Sequence, residues 1–253
     1  MSDLLKNTLL GLFFGTFGTT IGGFIGIKFD NASNKLLSFI LSFASGLMMS
    51  IVCFDLIPEA LKISDFSIVI VGIIFGIVTM IMCDVIVQNK LTSNKINYSK
   101  NSLLKTGIAV AIGLALHNLP EGLAIGSGFD ISTKLGLGLA ISICLHDIPE
   151  GISMAVPMRN GGISPSKVIF YVILSGITTG IGAFFGSLVG LISLTIISLC
   201  LSFAAGAMLY IVTGELTPEA NKLYKGRMSA IGNILGFLIR YYCSKFINNL
   251  HKH

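Results

Sequence analysis

The chain has 253 residues, 53% of them hydrophobic and only 11% charged, with a mean hydropathy of +0.86. A soluble domain of this size needs far more surface charge, so the composition excludes that class and points to an all-α polytopic membrane protein. The net charge of +5 comes from basic residues scattered singly between apolar runs, which is how loops on a membrane face look and not how a nucleic-acid-binding patch looks.

Runs long enough to cross about 30 Å of hydrocarbon, roughly 20 residues of helix, fall at about 5–27, 36–60, 66–88, 103–128, 133–157, 166–190, 192–218 and 227–247. The expectation is therefore eight transmembrane helices in one domain. The first run lacks a small-residue cleavage site and reads as a retained span. In the last, Arg240 interrupts the apolar pattern and must snorkel or line the bundle. The five cysteines form no C-x-x-C pair and lie in or at the ends of apolar runs, where they read as small buried hydrophobes. Eleven Lys and Arg fall on the connections after spans one, three, five and seven, against six on the other side. The positive-inside rule then puts both termini outside the cell membrane and the 89–102 connection in the cytoplasm.

A repeat lies in the flanks. Residues 41–60 and 201–220 match at twelve of twenty positions without a gap, at an offset of 160. That offset maps spans one to three onto six to eight with opposite orientation. The expected layout is a 3+2+3 arrangement: repeat 1 at about 5–88, a central helix pair at 103–157, and an inverted repeat 2 at about 166–247.

The central pair carries the chemistry. His117-Asn118-Leu119-Pro120-Glu121-Gly122 and His146-Asp147-Ile148-Pro149-Glu150-Gly151 repeat one pattern. In each, a His and a Glu four positions apart share a helix face, and the Pro should free the carbonyl of Leu116 or Leu145 and unwind or kink the helix. A His in an apolar helix is ordinarily a satisfied core residue. Here each is paired with a carboxylate, twice, at mid-span, so His117, Glu121, His146 and Glu150 read as metal ligands. Two imidazoles and two carboxylates suit Zn²⁺ and also Fe²⁺, Mn²⁺, Co²⁺ or Cd²⁺. Asn118 and Asp147 point about 100° away on an ideal helix and are candidates for a supporting role or a second metal site. Two other chemistries fit part of the pattern: an intramembrane metal-dependent hydrolase, although H-E-x-x-H is missing, and a cation channel without a bound transition metal, for which the two His are superfluous.

Asp55 with Glu59 and Glu215 with Glu219 are equivalent acidic pairs of the repeat, each with a Pro before the second Glu. In the orientation above, the first pair lies near the external mouth and the second near the cytoplasmic one. Asp55 and Glu215 sit a turn deeper and read as pathway residues. Glu59 and Glu219 read equally as pathway residues or as helix-end residues in headgroup water.

With HNLPEG on the fourth span and HDIPEG on the fifth, the chain resembles the ZIP (Zrt- and Irt-like protein) family of divalent metal transporters over nearly all its length. The resemblance implies transport of Zn²⁺ and related ions into the cytoplasm without enzymatic activity. It also implies His117, Glu121, His146 and Glu150 as core ligands, Asn118 and Asp147 at an adjoining position, and a homodimer in the lipid bilayer. The chain departs from the family pattern in three places. Thr179 stands where many members have a Glu on span six, Gly214-Glu215 replaces a His-Glu on span seven, and the cytoplasmic connection has no His.

Overall fold

The structure, a computed structural model, describes residues 2–28, 33–93, 118–160, 162–190 and 193–250. In chain order the helices are α1 (Ser2–Lys28), α2 (Asn34–Ile51), α3 (Ile57–Ile63), α4 (Phe66–Ser93), α5 (118–131), α6 (Thr133–Asn160), α7 (Pro165–Gly190), α8 (Leu194–Tyr210), α9 (Thr217–Leu223) and α10 (Met228–Leu250). Among the described residues six helices are long and apolar enough to cross a membrane; two of them are composite, α2 running into α3 and α8 into α9. The first half of the expected fourth span lies outside the described residues. Large apolar side chains stand exposed along outward faces, such as Phe13, Phe17 and Phe24 on α1 and Ile74, Phe75 and Met82 on α4. With six such helices and that much exposed apolar surface, the chain is a multi-pass membrane protein.

The joints inside the two composite spans are π-helical, at Val52–Leu56 and Ile211–Leu216. Their cause is local. Pro58 and Pro218 open α3 and α9 and cannot donate to the ladder. The residue before each Pro bonds one step further back, the Ile57 N–H to the Val52 carbonyl and the Thr217 N–H to the Val212 carbonyl, which accommodates one extra residue in the turn. Upstream, Ser33 and Ser193 cap the matching helices by accepting from the Leu36 and Ile196 N–H groups. Caps and bulges both recur at the offset of 160.

Pro149 behaves differently. The expected unwound turn does not form, and α6 stays helical from Thr133 to Asn160. The α1 backbone lies flush against this turn. A Cβ on Gly22 would strike the Ile148 carbonyl oxygen, and Gly18 stands likewise against the Cys144 carbonyl. The equivalent position at Leu116 lies outside the described residues.

Packing follows the repeat. α2 lies along α10 as α8 lies along α4. In the first pair Gly236 abuts the Phe43 carbonyl; in the second Gly76 abuts the Phe203 carbonyl, a contact set that the offset reproduces atom for atom. Gly22 of α1 against Ile148 and Gly151 of α6 has its counterpart in Gly182 of α7 against Leu119 and Gly122 of α5. Small residues here let backbones approach closely, the ordinary basis of helix association in lipid. Between these bundles a buried apolar core gathers Met48, Ile51, Ile125, Ile143, Leu201 and Met208. Met154 and Met158 lie in a second cluster, so the methionines here serve packing. Of the cysteines, Cys144 is buried but Cys53 is exposed, so the reading of all five as buried hydrophobes does not hold at Cys53.

Candidate metal centre

α5 and α6 bring the two copies of the repeated phrase together. Glu121 of the first copy and His146, Asp147 and Glu150 of the second are all buried, and one ligand atom from each lies within 4.8 Å of the others. Glu121 Oε1 is 2.7 Å from His146 Nε2, and Asp147 Oδ1 is 3.4 Å from the same nitrogen. His117, the remaining candidate of the first copy, lies outside the described residues.

The local cause is helical spacing. His146 and Glu150 share a face one turn apart, and Glu121 reaches them from α5. Asp147 was expected to point away, yet its carboxylate joins the group. The space comes from α1, where Gly18 stands against the Asp147 Cβ and the Cys144 backbone, so no side chain from that helix intrudes. Sequence spacing alone misses this, because the swing of a short carboxylate toward its neighbour depends on what the facing helix omits.

Three carboxylates and an imidazole with at most 2% exposure make a costly cluster unless positive charge balances it. A divalent cation does so with favoured ligands: imidazole nitrogen and carboxylate oxygen are the donor set of zinc and its neighbours. The Asp147 oxygens and His146 Nδ1 have no hydrogen-bond partner among the described residues, so these two residues keep ligand atoms that hydrogen bonding does not use.

Asn118, three residues before Glu121 on α5, is held by α7. Its Nδ2 donates to the Ser175 carbonyl and to Ser175 Oγ, both at 3.0 Å, while its Oδ1 has no partner among the described residues. Thr179, one turn along α7 from Ser175, is fully buried, and its Oγ1 is likewise without a partner.

The acidic pairs of the repeat lie apart from the cluster. Asp55 is bound by Arg240 Nη2 at 2.6 Å, and Glu59 by Lys62 Nζ at 2.6 Å. On the opposite face Glu219 lies 3.5 Å from Lys222, Glu215 is exposed, and Asp84 accepts from the Tyr210 hydroxyl at 3.1 Å. Sequence reasoning left Arg240 either to snorkel or to line the bundle and did not name its partner. It also missed a polar staple in which Asn7 and Ser187 both donate to Asp130 Oδ1, at 3.2 and 2.9 Å, joining α1, α7 and the end of α5.

A family model described as ZIP Zinc transporter matches residues 89–242. Among curated proteins the chain is 33% identical to "Zinc transporter ZupT" of Akkermansia muciniphila, with 93% of each chain covered. It is 31% identical to "Zinc transporter ZupT" of Escherichia coli O127:H6 over 87% of this chain and 89% of that one. Human "Zinc transporter ZIP11" is 34% identical over 51% of this chain and 40% of its own length.

Proposed function

The chain belongs to the ZIP zinc transporter family, and from that premise we propose that it carries zinc across the cell membrane into the cytoplasm through the buried group of Glu121, His146, Asp147 and Glu150, completed by His117. The observation that carries this reading is the convergence of carboxylates and imidazole from both copies of the repeated phrase in a buried place. A divalent ion moving inward down 100 mV gains about 4.6 kcal/mol, at ~2.3 per charge, so an obligatory co-ion is not required. Zinc is the primary cargo, and Fe²⁺, Mn²⁺, Co²⁺ and Cd²⁺ are further cargo that the same donors accept. The protein is a transporter and not an enzyme. A hydrolase would need a base beside an open coordination position, and a bare channel would have no use for His146 in the cluster.

In this reading eight spans form the 3+2+3 inverted repeat, with repeat 1 at about 5–88, the metal-bearing pair at 103–157 and repeat 2 at about 166–247. The reading is supported by the pairing of α2 with α10 and of α4 with α8, whose glycine contacts correspond at the offset of 160. Both termini lie outside. Asp55 and Glu59 then belong to the external mouth, and Glu215 and Glu219 to the cytoplasmic one. The unit in the bilayer is a homodimer, as the resemblance implies.

Zinc flux into proteoliposomes tests the function. Time-dependent zinc accumulation that disappears with Glu150→Ala supports it. Zinc-stimulated cleavage of peptide or lipid without flux would replace it with the hydrolase reading.

A further inference from the structure

The Asp55–Arg240 pair sits where a cation pathway is least expected to hold a cation. Both side chains are largely buried, Arg240 at 7% exposure and Asp55 at 15%, with Nη2 and Oδ2 2.6 Å apart. With Glu59, Lys62 and Lys134 they line a cavity of about 270 Å³ whose lining also includes Leu139 of α6. Leu139 precedes His146 by seven residues on one helix, roughly 10 Å at 1.5 Å per residue, so the cavity stands about two turns above the metal cluster. In the proposed orientation this is the external mouth.

The charges of that cavity are two acids and three bases, and each acid already holds a basic side chain. Lys62 is 68% exposed and swings into water at little cost. Arg240 cannot. Its guanidinium is also poorly satisfied, for its buried Nε has no hydrogen-bond partner among the described residues. An arginine kept solely to brace two helices would normally have its donors bonded, and α2 and α10 are already joined by the close approach of Gly46 and Gly236. The repeat supplies a comparison. At the offset of 160 the counterpart of Arg240 is Met80, buried at 5% exposure, while Glu215, the counterpart of Asp55, is exposed. The tethered cation is present at one mouth and replaced by a thioether at the other.

We propose that Arg240 is a built-in competitor for the incoming ion: its guanidinium holds the place at Asp55 that a divalent cation must take, so passage through the external mouth is a displacement, and Arg240 sets the apparent affinity for zinc. The ion is favoured because it carries two charges and can engage Asp55 and Glu59 together, which a single guanidinium does not. A monovalent cation gains nothing by the exchange. Arg240 acts through Asp55 and is a positioning residue. The inference rests on the transport reading above.

The test is initial-rate zinc uptake into proteoliposomes containing the full chain, across a range of zinc concentrations. Arg240→Gln is expected to lower KM by about tenfold and to increase inhibition by added K⁺, while Arg240→Lys, which keeps the charge, restores the higher KM. Asp55→Asn is expected to raise KM. Unaltered protein supplies a readout that needs no variant. Zinc should accelerate phenylglyoxal modification of Arg240, followed by peptide mass spectrometry, because the displaced guanidinium is released into the cavity. A KM that is unchanged or raised in Arg240→Gln, or a modification rate that zinc leaves unchanged or slows, overturns the inference and leaves the pair a brace. Absence of zinc flux in the unaltered protein overturns the transport reading itself, and the inference with it.

Discussion

His146 Nε2 and Glu121 Oε1 lie 2.7 Å apart, so a ligand atom from the second copy of the repeated phrase is within bonding distance of one from the first. The two copies therefore converge on one buried group, and on the transport reading losing a side chain from either copy should disable it. His146→Ala and Glu121→Ala should each lower zinc uptake by more than about tenfold, with the double variant no worse than the single ones, because residues sharing one site are not additive. Flux normalised to protein in the membrane is the measurement. Additive losses would mean two independent sites.

The glycines that let α1 and α7 approach the central pair give a stability prediction. A Cβ on Gly22 or Gly182 would strike the carbonyl oxygen of Ile148 or Leu119, backbone that cannot step aside. Gly22→Ala and Gly182→Ala should each cost about 1–3 kcal/mol or more, seen as a lowered midpoint of thermal unfolding in detergent. Gly138→Ala has open space around it and should be silent or slightly stabilising, since it removes a helical glycine. Equal midpoints for all three would contradict the close approach.

These contacts also mark what the sequence could convey. The helices were legible because lipid demands long apolar runs, and seven of the eight expected runs correspond to described helices or composite helices. The repeat was legible because identity survives at positions such as Gly46/Gly206 and Pro58/Pro218, where a close contact or a lost donor fixes the residue. Asp147 was not legible as a member of the central group, since its place depends on Gly18 across the interface. The π-bulges before Pro58 and Pro218, and the unbroken helix through Pro149, were equally hidden. Each Pro deletes one hydrogen bond, and nothing in the residue types alone says whether the ladder re-registers, as before Pro58 and Pro218, or stays in place, as at Pro149.

Orientation can be read by labelling. In a cysteine-free background, a cysteine replacing Ser2 should react with an impermeant thiol reagent added to intact cells, and one replacing Ser93 should not. The basis is the excess of Lys and Arg on the odd-numbered connections. The opposite pattern would exchange the mouths, putting Glu215 and Glu219 outside and Asp55 with Arg240 at the cytoplasmic end.

The last prediction concerns how many ions the centre holds. Two divalent ions would bring four positive charges, while Glu121, Asp147 and Glu150 supply three carboxylates among the described residues. Asn118 adds a neutral oxygen, its amide nitrogen being committed to Ser175. Thr179 adds a hydroxyl, fully buried and without a hydrogen-bond partner among the described residues, hence a dipole and no charge. At low dielectric the missing charge weighs on the second ion far more than on the first, because the first is already balanced by the nearest carboxylates. Equilibrium dialysis of the unaltered protein should therefore give one tightly held zinc per chain, with any second ion weaker by about a hundredfold or more, near 3 kcal/mol. Thr179→Glu should raise occupancy of the second position. Gly15 packs directly on Thr179, so the longer side chain enters a crowded place, and the variant's thermal midpoint should be compared with that of Thr179→Gln. A Gln of the same length that fails to raise occupancy isolates charge as the cause; two comparably tight ions in the unaltered protein would show that Asn118, Asp147 and water suffice without a fourth carboxylate.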